Sequence, residues 1–219
     1  MQNKTALLLI GSPKPAKSSS ENLGKLLIKN LSEQGVQTTI ENIGVAFRKG
    51  TIQELIQKVN QTDITIISTP LYVDSLPSTL INFLELYRND EKENDKKLIA
   101  IVNSGFPESF QNDSAIEVLR LFSIHNGFRW VGGFAIGCGG AFGNVDLENY
   151  KMAKNIAESF KNTAILLSRN ESVPSEIIGN ASKSIMPASL YLAFGQLGWY
   201  FQAIKYRTLF KLWDKPYVR

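Results

Sequence analysis

The sequence predicts an α/β protein: a five-stranded parallel sheet in the order 2-1-3-4-5, covered by helices on both faces and continued by a helical tail. Three observations carry this expectation. Strand-like and helix-like segments alternate five times in series, a pattern that builds a parallel sheet with a helical layer on each side. The first, third and fourth strand segments are near-continuous apolar or β-branched runs, as strands covered on both faces must be. Five strands favour the order 2-1-3-4-5 over a six-stranded dinucleotide fold.

Strands are predicted at 5–10 (TALLLI), 36–43 (VQTTIENI), 63–69 (DITIIST), 97–103 (KLIAIVN) and 130–137 (WVGGFAIG). Helices are predicted at 20–34, 51–61, 77–88, 112–126 and 146–168. The second helix has Ile52, Leu55, Ile56 and Val59 at i, i+3, i+4 and i+7, one apolar stripe. The third opens with Pro77 in its first turn and carries Leu80, Ile81 and Leu84. Together these make a flavodoxin-like three-layer sandwich. The mixed-charge run RNDEKENDKK (88–97) reads as a solvated loop. The polar stretch 169–184, with Pro174 and Gly179, reads as a linker, which divides the chain into a body at 1–184 and a tail at 185–219.

Composition narrows the chemistry. The 219 residues suit one α/β domain of generous size, and 43% apolar with 20% charged residues is ordinary for a globular protein. One cysteine, Cys138, excludes an internal disulfide framework and a cluster held by several cysteines; one histidine, His125, excludes a multi-histidine metal site. Cys138 reads as a small buried residue, and His125 as a capping or packing side chain. No metal is therefore expected. The amino-terminal apolar run of six residues is too short for a signal-peptide core, so a cytoplasmic location is expected. The net charge of +4 resides in the tail, where Lys205, Arg207, Lys211, Lys215 and Arg219 oppose Asp214 alone. The body is neutral, so no nucleic-acid partner is expected.

Ligands of doubly wound sheets sit outside the carboxyl ends of the strands. Three loops there carry unusual chemistry. GSPKPAKSSSENL (11–23) gathers the hydroxyls of Ser12, Ser18, Ser19 and Ser20, the Asn22 amide, and Lys14 and Lys17, beside the amino end of a helix. These are phosphate donors, and the helix end adds free N–H groups and partial positive charge. The loop lacks both a Gly-Lys-Ser/Thr phosphate loop and a Gly-x-Gly-x-x-Gly fingerprint, so a monophosphate fits best. STPLYVDSLPSTL (68–80) presents Pro70, Leu71, Tyr72 and Val73 to a flat ring, and NSGFPES (103–109) offers Asn103, Ser104, Gly105 and Phe106. Taken singly, each loop also reads as a plain turn. Taken together, they match a planar heterocycle with one phosphate, and FMN is such a molecule.

The same residues carry a family resemblance. GSPKPAKSSSENL resembles the Gly-Ser-x-Arg/Lys…Ser-x-Ser/Thr/Asn phosphate loop of NAD(P)H-dependent FMN reductases and related multimeric flavodoxin-fold oxidoreductases. TPLYVDSLPSTLINFLE (69–85) is similar to their Ser/Thr-Pro-x-Tyr…Pro…Leu-Lys-x-Phe-Leu-Asp/Glu segment, with Asn82 at the usual lysine. The resemblance spans about residues 4–168. It implies FMN as cofactor and NAD(P)H as electron donor, with a small-molecule acceptor such as a quinone, a nitro compound or free flavin. It implies that Ser12, Lys14, Ser18, Ser20 and Asn22 hold the phosphate, that Pro70, Leu71, Tyr72 and Val73 line the isoalloxazine, and that Asn103, Ser104, Gly105 and Phe106 contact its far edge. The flavin does the chemistry, so no side chain is assigned a catalytic role. A flavodoxin-type electron carrier and a flavin-binding interaction module are the alternatives. A homodimer or homotetramer is expected and a membrane partner is not. The tail holds nine of the chain's aromatics and reads as packing against its own body or a partner copy. The turn GCGGAFG (137–143) either admits a ligand closely or only joins strand to helix.

Overall fold

The computed structural model describes residues 4–14, 16–88 and 95–214. Five parallel strands, β1 (Thr5–Ile10), β2 (Gln37–Asn42), β3 (Ile64–Pro70), β4 (Lys97–Asn103) and β5 (Arg129–Ile136), lie in the order β2-β1-β3-β4-β5. The helices are α1 (Ser19–Glu33), α2 (Ile43–Lys49), α3 (Ile52–Asn60), α4 (Ser78–Leu86), α5 (Asp113–His125), α6 (Lys154–Ser168), α7 (Ser175–Ala181) and α8 (Ala188–Lys205). The flavodoxin-like sheet is the expected one. Part of the charged loop at 88–97 lies outside the described residues.

Strand pleat sorts the core into two layers. Ala6, Leu8 and Ile10 of β1 face one side and pack with Leu23, Leu27 and Leu31 of α1 and with Ile156, Phe160 and Leu167 of α6. Leu7 and Leu9 face the other side, with Ile43 of α2, Leu55 and Val59 of α3, Phe83 of α4 and Leu119 of α5. Alternate residues of one strand thus feed both cores, as a period of two requires. Every residue of β3 and β4 is buried, which explains their near-continuous apolar or β-branched character. The edge strand β2 is half exposed and polar. Strand β5 carries a bulge, a register shift opposite Leu98 and Ile99, near Gly132 at φ 154°. A Cβ there would meet Ile178 Cδ1 at 2.2 Å, so the glycine admits α7 to the sheet.

Three elements depart from the sequence expectation. Helix α2 begins where strand 36–43 was expected to end: Asn42 Oδ1 accepts from Val45 N–H at 3.0 Å as its N-cap, and Gly50 at φ 71° ends it. Residues 146–150 are not helical, because Asp146 accepts from the Glu148 N–H and from Asn149 Nδ2, closing a side-chain turn before a 3-10 turn leads into α6. The stretch 169–184 is not a simple linker. It contains α7, whose Ile178 and Ala181 join the core beside α6.

The chain divides into two compact units, residues 1–185 and 186–219. The second unit is α8 followed by a 3-10 turn at Leu209–Lys211; the N–H of Thr208 returns to the Ala203 carbonyl at 2.8 Å. No helix among the described residues is long and apolar enough to cross a membrane.

Helix α1 lies close on the sheet at Gly24, where a Cβ would stand 2.6 Å from Leu8 Cδ1 and 3.1 Å from Ser68 Cβ. Gly24→Ala is therefore expected to destabilise the body by about 1–3 kcal/mol despite alanine's better helix propensity. A urea titration reads this as a lower midpoint at unchanged slope.

Candidate functional site

The order 2-1-3-4-5 reverses the direction of chain progression between β1 and β3, and opens a crevice at the strands' carboxyl ends. The loops after β1, β3 and β4 and the turn after β5 all meet there. They enclose a recess of about 170 Å³ lined by thirteen residues, among them Ser12, Lys14, Ser18, Ser20, Pro70, Leu71, Tyr72, Asn103, Ser104 and Gly105. These ten were expected at the site. Ser19, Gly139 and Gly140 complete the lining. No lining residue is acidic.

The first loop is fixed by a capping box. Ser18 is the N-cap of α1 and its hydroxyl accepts from the Glu21 N–H at 3.1 Å, while the Glu21 carboxylate accepts from the Lys17 N–H at 2.8 Å. Lys17 is thereby held in the left-handed region, φ 57°. Burial acts to raise the Glu21 carboxyl; the Lys25 ammonium at 2.5 Å and the Lys17 and Ser18 N–H groups outweigh it and hold the carboxyl below its ordinary value. The cap leaves the N–H groups of Ser19 and Ser20, the first two of α1, without partners among the described residues. Buried Ser12 accepts from the Lys14 N–H at 3.3 Å, which leaves its own hydroxyl proton free to donate; Lys14 Nζ stays close, on the Lys17 carbonyl.

Asn103 joins the loops. Its Oδ1 accepts from the buried Ser20 hydroxyl at 2.7 Å, its carbonyl accepts from the Leu71 N–H at 2.8 Å, and the Ser68 hydroxyl donates to the Ser20 carbonyl at 2.6 Å. Beyond it, the Gly139 N–H donates to the Ser104 carbonyl and the Cys138 N–H to the Phe106 carbonyl. A Cβ on Gly139 would lie 2.6 Å from Asn103 Nδ2, so only glycine fits. Asn112 supports Ser104 from below, its Nδ2 donating to Ser104 Oγ at 3.3 Å.

Three expected residues stand elsewhere. The Asn22 side-chain amide donates to the carbonyls of Phe142 at 2.7 Å and Val145 at 2.8 Å, so it pins the loop after β5 instead of facing the recess. Val73 points into solvent, 98% exposed, at the tip of a two-residue turn. There Tyr72 and Ser75 exchange backbone hydrogen bonds of 2.9 and 3.0 Å, and Val73 and Asp74 both take positive φ, 48° and 58°. That is type I′ geometry, strained for a β-branched residue. Phe106 is half exposed outside the recess, while Tyr72, equally exposed, stands at its rim. Cys138 is buried, and burial, then the nearby Glu108 charge, pushes its thiol up. His125 is exposed in the last turn of α5. A larger hollow, about 630 Å³ and lined by Leu26, Glu33, Tyr150, Lys154 and Glu158 among others, lies along α1 and α6, away from the strand ends, and carries both charge signs.

The family of NADPH-dependent FMN reductases matches residues 5–140, and the chain belongs to it. It is thus a flavin-dependent oxidoreductase of the NAD(P)H-dependent FMN reductase type, with FMN as cofactor and NAD(P)H as electron donor. The fold is similar to that of an NADH:FMN oxidoreductase in its apo form, at 16% identity and TM-score 0.58 over 84% of this chain and 97% of that one. It is also similar to an NAD(P)H:quinone oxidoreductase from Methanothermobacter marburgensis, at 13% identity and TM-score 0.56 over 75% and 96% of the two chains. An FMN-dependent NADH-azoreductase from Bacillus anthracis, solved in complex with FMN, matches at 15% identity and TM-score 0.56 over 75% and 99%. No curated protein matches the sequence.

Two outcomes follow. Gly139→Ala forces Asn103 aside and is expected to lower FMN retention at least tenfold and stability by about 1–3 kcal/mol, read by flavin absorbance after gel filtration and by thermal melting. The depressed Glu21 carboxyl contributes stability that is present above its ordinary value of 4.5 and is lost as pH falls through its lower folded value. Glu21→Gln is expected to flatten the acid limb of stability against pH while leaving stability at neutral pH only slightly reduced.

Proposed function

We propose that this chain is a cytoplasmic enzyme that passes reducing equivalents from NADH or NADPH, by way of bound FMN, to a small diffusible acceptor: a quinone, a nitro compound or free flavin. The observation that carries the reading is the recess itself. It combines the free Ser12 hydroxyl, two unpartnered helix N–H groups and the Lys14 ammonium with a half-exposed tyrosine ring, and it has no carboxylate. That donor set fits a monophosphate beside a flat ring.

In this reading Ser12, Lys14 and the N–H groups of Ser19 and Ser20 hold the phosphate. The Ser18 and Ser20 side chains act one step back: Ser18 caps α1 and Ser20 positions Asn103. Pro70, Leu71 and Tyr72 line one side of the ring, with Asn103, Ser104 and Gly105 at its far edge. Gly139 and Gly140 allow close approach to the backbone. FMN, when bound, supplies hydride acceptance and onward electron transfer through its own ring system. The lining residues contain no carboxylic acid, histidine or thiol, so the chain's part is to bind, orient and shield. The likeness of the fold to an NAD(P)H:quinone oxidoreductase and an azoreductase supports an aromatic acceptor. A face for the expected homodimer or homotetramer is Val118, Leu121 and Ile124, exposed along α5. A one-electron carrier is the second reading, favoured by a structural neighbour described as a flavodoxin from Streptococcus pneumonia, at 14% identity and TM-score 0.55 over 76% of this chain and 99% of that one. The neutral body weighs against it, because carriers that hold a low-potential flavin are acidic.

Ser12→Ala and Lys14→Gln are each expected to weaken FMN by about 1–3 kcal/mol and riboflavin hardly at all, measured by fluorescence titration. Equal losses for both ligands would remove the phosphate assignment. In stopped flow, NADH or NADPH is expected to bleach the flavin band near ~450 nm. A flavin that dithionite reduces but neither nucleotide does would favour the carrier.

A further inference from the structure

The unit at 186–219 carries an apolar surface that the flavin chemistry does not use. Leu190, Phe194, Leu197, Phe201 and Ile204 recur at helical spacing and form one stripe along α8, and all five are exposed. The opposite face of α8 exposes Leu192 and Trp199, and beyond the helix Phe210 is 93% and Trp213 75% exposed. From Ala188 to Ile204 there is no charged side chain; Lys205, Arg207 and Lys211 then follow within seven residues. Residues 177–213 contain no Asp or Glu.

We propose that this unit is an interfacial anchor that lays α8 on an anionic lipid surface. Charge selects this occupant over a second copy. Set parallel against a second copy, Lys205, Arg207 and Lys211 would face their own counterparts with Asp214 as the one acid nearby, whereas an anionic leaflet complements all three. The neutral body offers no net complementary field either. Side-chain chemistry agrees. Trp and Tyr rings favour the headgroup boundary, where an apolar ring and a polar edge are both satisfied, and Trp199, Tyr200, Tyr206 and Trp213 supply four of them. Gln196 and Gln202 interrupt the apolar surface of α8, which fits a helix lying in the interface better than one crossing it. Such a surface would hold the enzyme where membrane-dissolved acceptors concentrate.

The test uses the full-length, flavin-loaded protein with vesicles of phosphatidylcholine, alone or mixed with phosphatidylglycerol. Flotation is expected to carry the protein with the anionic vesicles, and high salt to release it. Tryptophan emission is expected to shift to the blue as Trp199 and Trp213 leave water. Each basic residue at an anionic surface contributes about fivefold in partition, so Lys205→Gln/Arg207→Gln/Lys211→Gln is expected to reduce binding roughly 100-fold. Phe201→Ser is expected to reduce binding without changing the protein's mass in solution. Flavin content, unchanged in every variant, certifies that the body is folded. The proposal is overturned if the protein ignores anionic vesicles, if it binds neutral vesicles equally well, or if the triple variant binds as the parent does. A lower mass for Phe201→Ser by light scattering would instead assign the stripe to contact between copies.

Discussion

The Ser20 hydroxyl donates to Asn103 Oδ1 inside the carboxyl edge of the sheet, shielded from water, and the site is arranged about that bond. Asn103 is the last residue of β4 and stands in register between Pro70 of β3 and Ile136 of β5. Through its carbonyl it fixes the exit of β3, and through its side chain it fixes the first turn of α1. The turn after β5 packs against its amide. A buried amide that lost one of these partners would cost more than the bond contributes when made, so the loops after β1 and β3 are tied to one residue.

Around this rigid point the backbone is strained. Lys17, Val73, Asp74 and Cys138 all occupy left-handed conformations, one or two in each of three segments at the strand ends. Each such residue costs of order 1–3 kcal/mol and persists only where its surroundings over-determine it. Here the surroundings are explicit: a capping box at Lys17, paired backbone bonds across Val73 and Asp74, and the bond from the Cys138 N–H to the Phe106 carbonyl. The fully buried strands β3 and β4 and the two core layers supply the stability that holds these turns in place.

Much of this was legible in the sequence because it rests on local pattern. β1 and β4 fall at the expected residues, since apolar runs bounded by turn signals have one reading. Helix α2 was missed although Asn42 and Gly50 mark both its ends; at seven residues it is too short to show a period. The polarity of the stretch around α7 resembles that of a linker and hides the two residues, Ile178 and Ala181, that the core uses. At the site, residue type located the loops, but it could not say which way a side chain faces. Asn22 and Ser20 look alike as phosphate donors, and only the fold shows that one binds the loop after β5 and the other binds Asn103. The role of Gly139 depends on Asn103, thirty-six positions earlier in the chain, a distance over which sequence pattern carries no information.

Cys138 gives the protein an experimental handle. It is the chain's one thiol, it is buried in the turn after β5, and burial and the Glu108 charge push its pKa above the ordinary thiol value. Alkylating reagents act on thiolates in reach of solvent, so the native chain offers them a silent background. A cysteine introduced at the tip of the Tyr72–Ser75 turn, or on α8, would then react alone. A fluorophore or spin label placed there would report on the mouth of the recess or on the tail without first engineering the parent sequence.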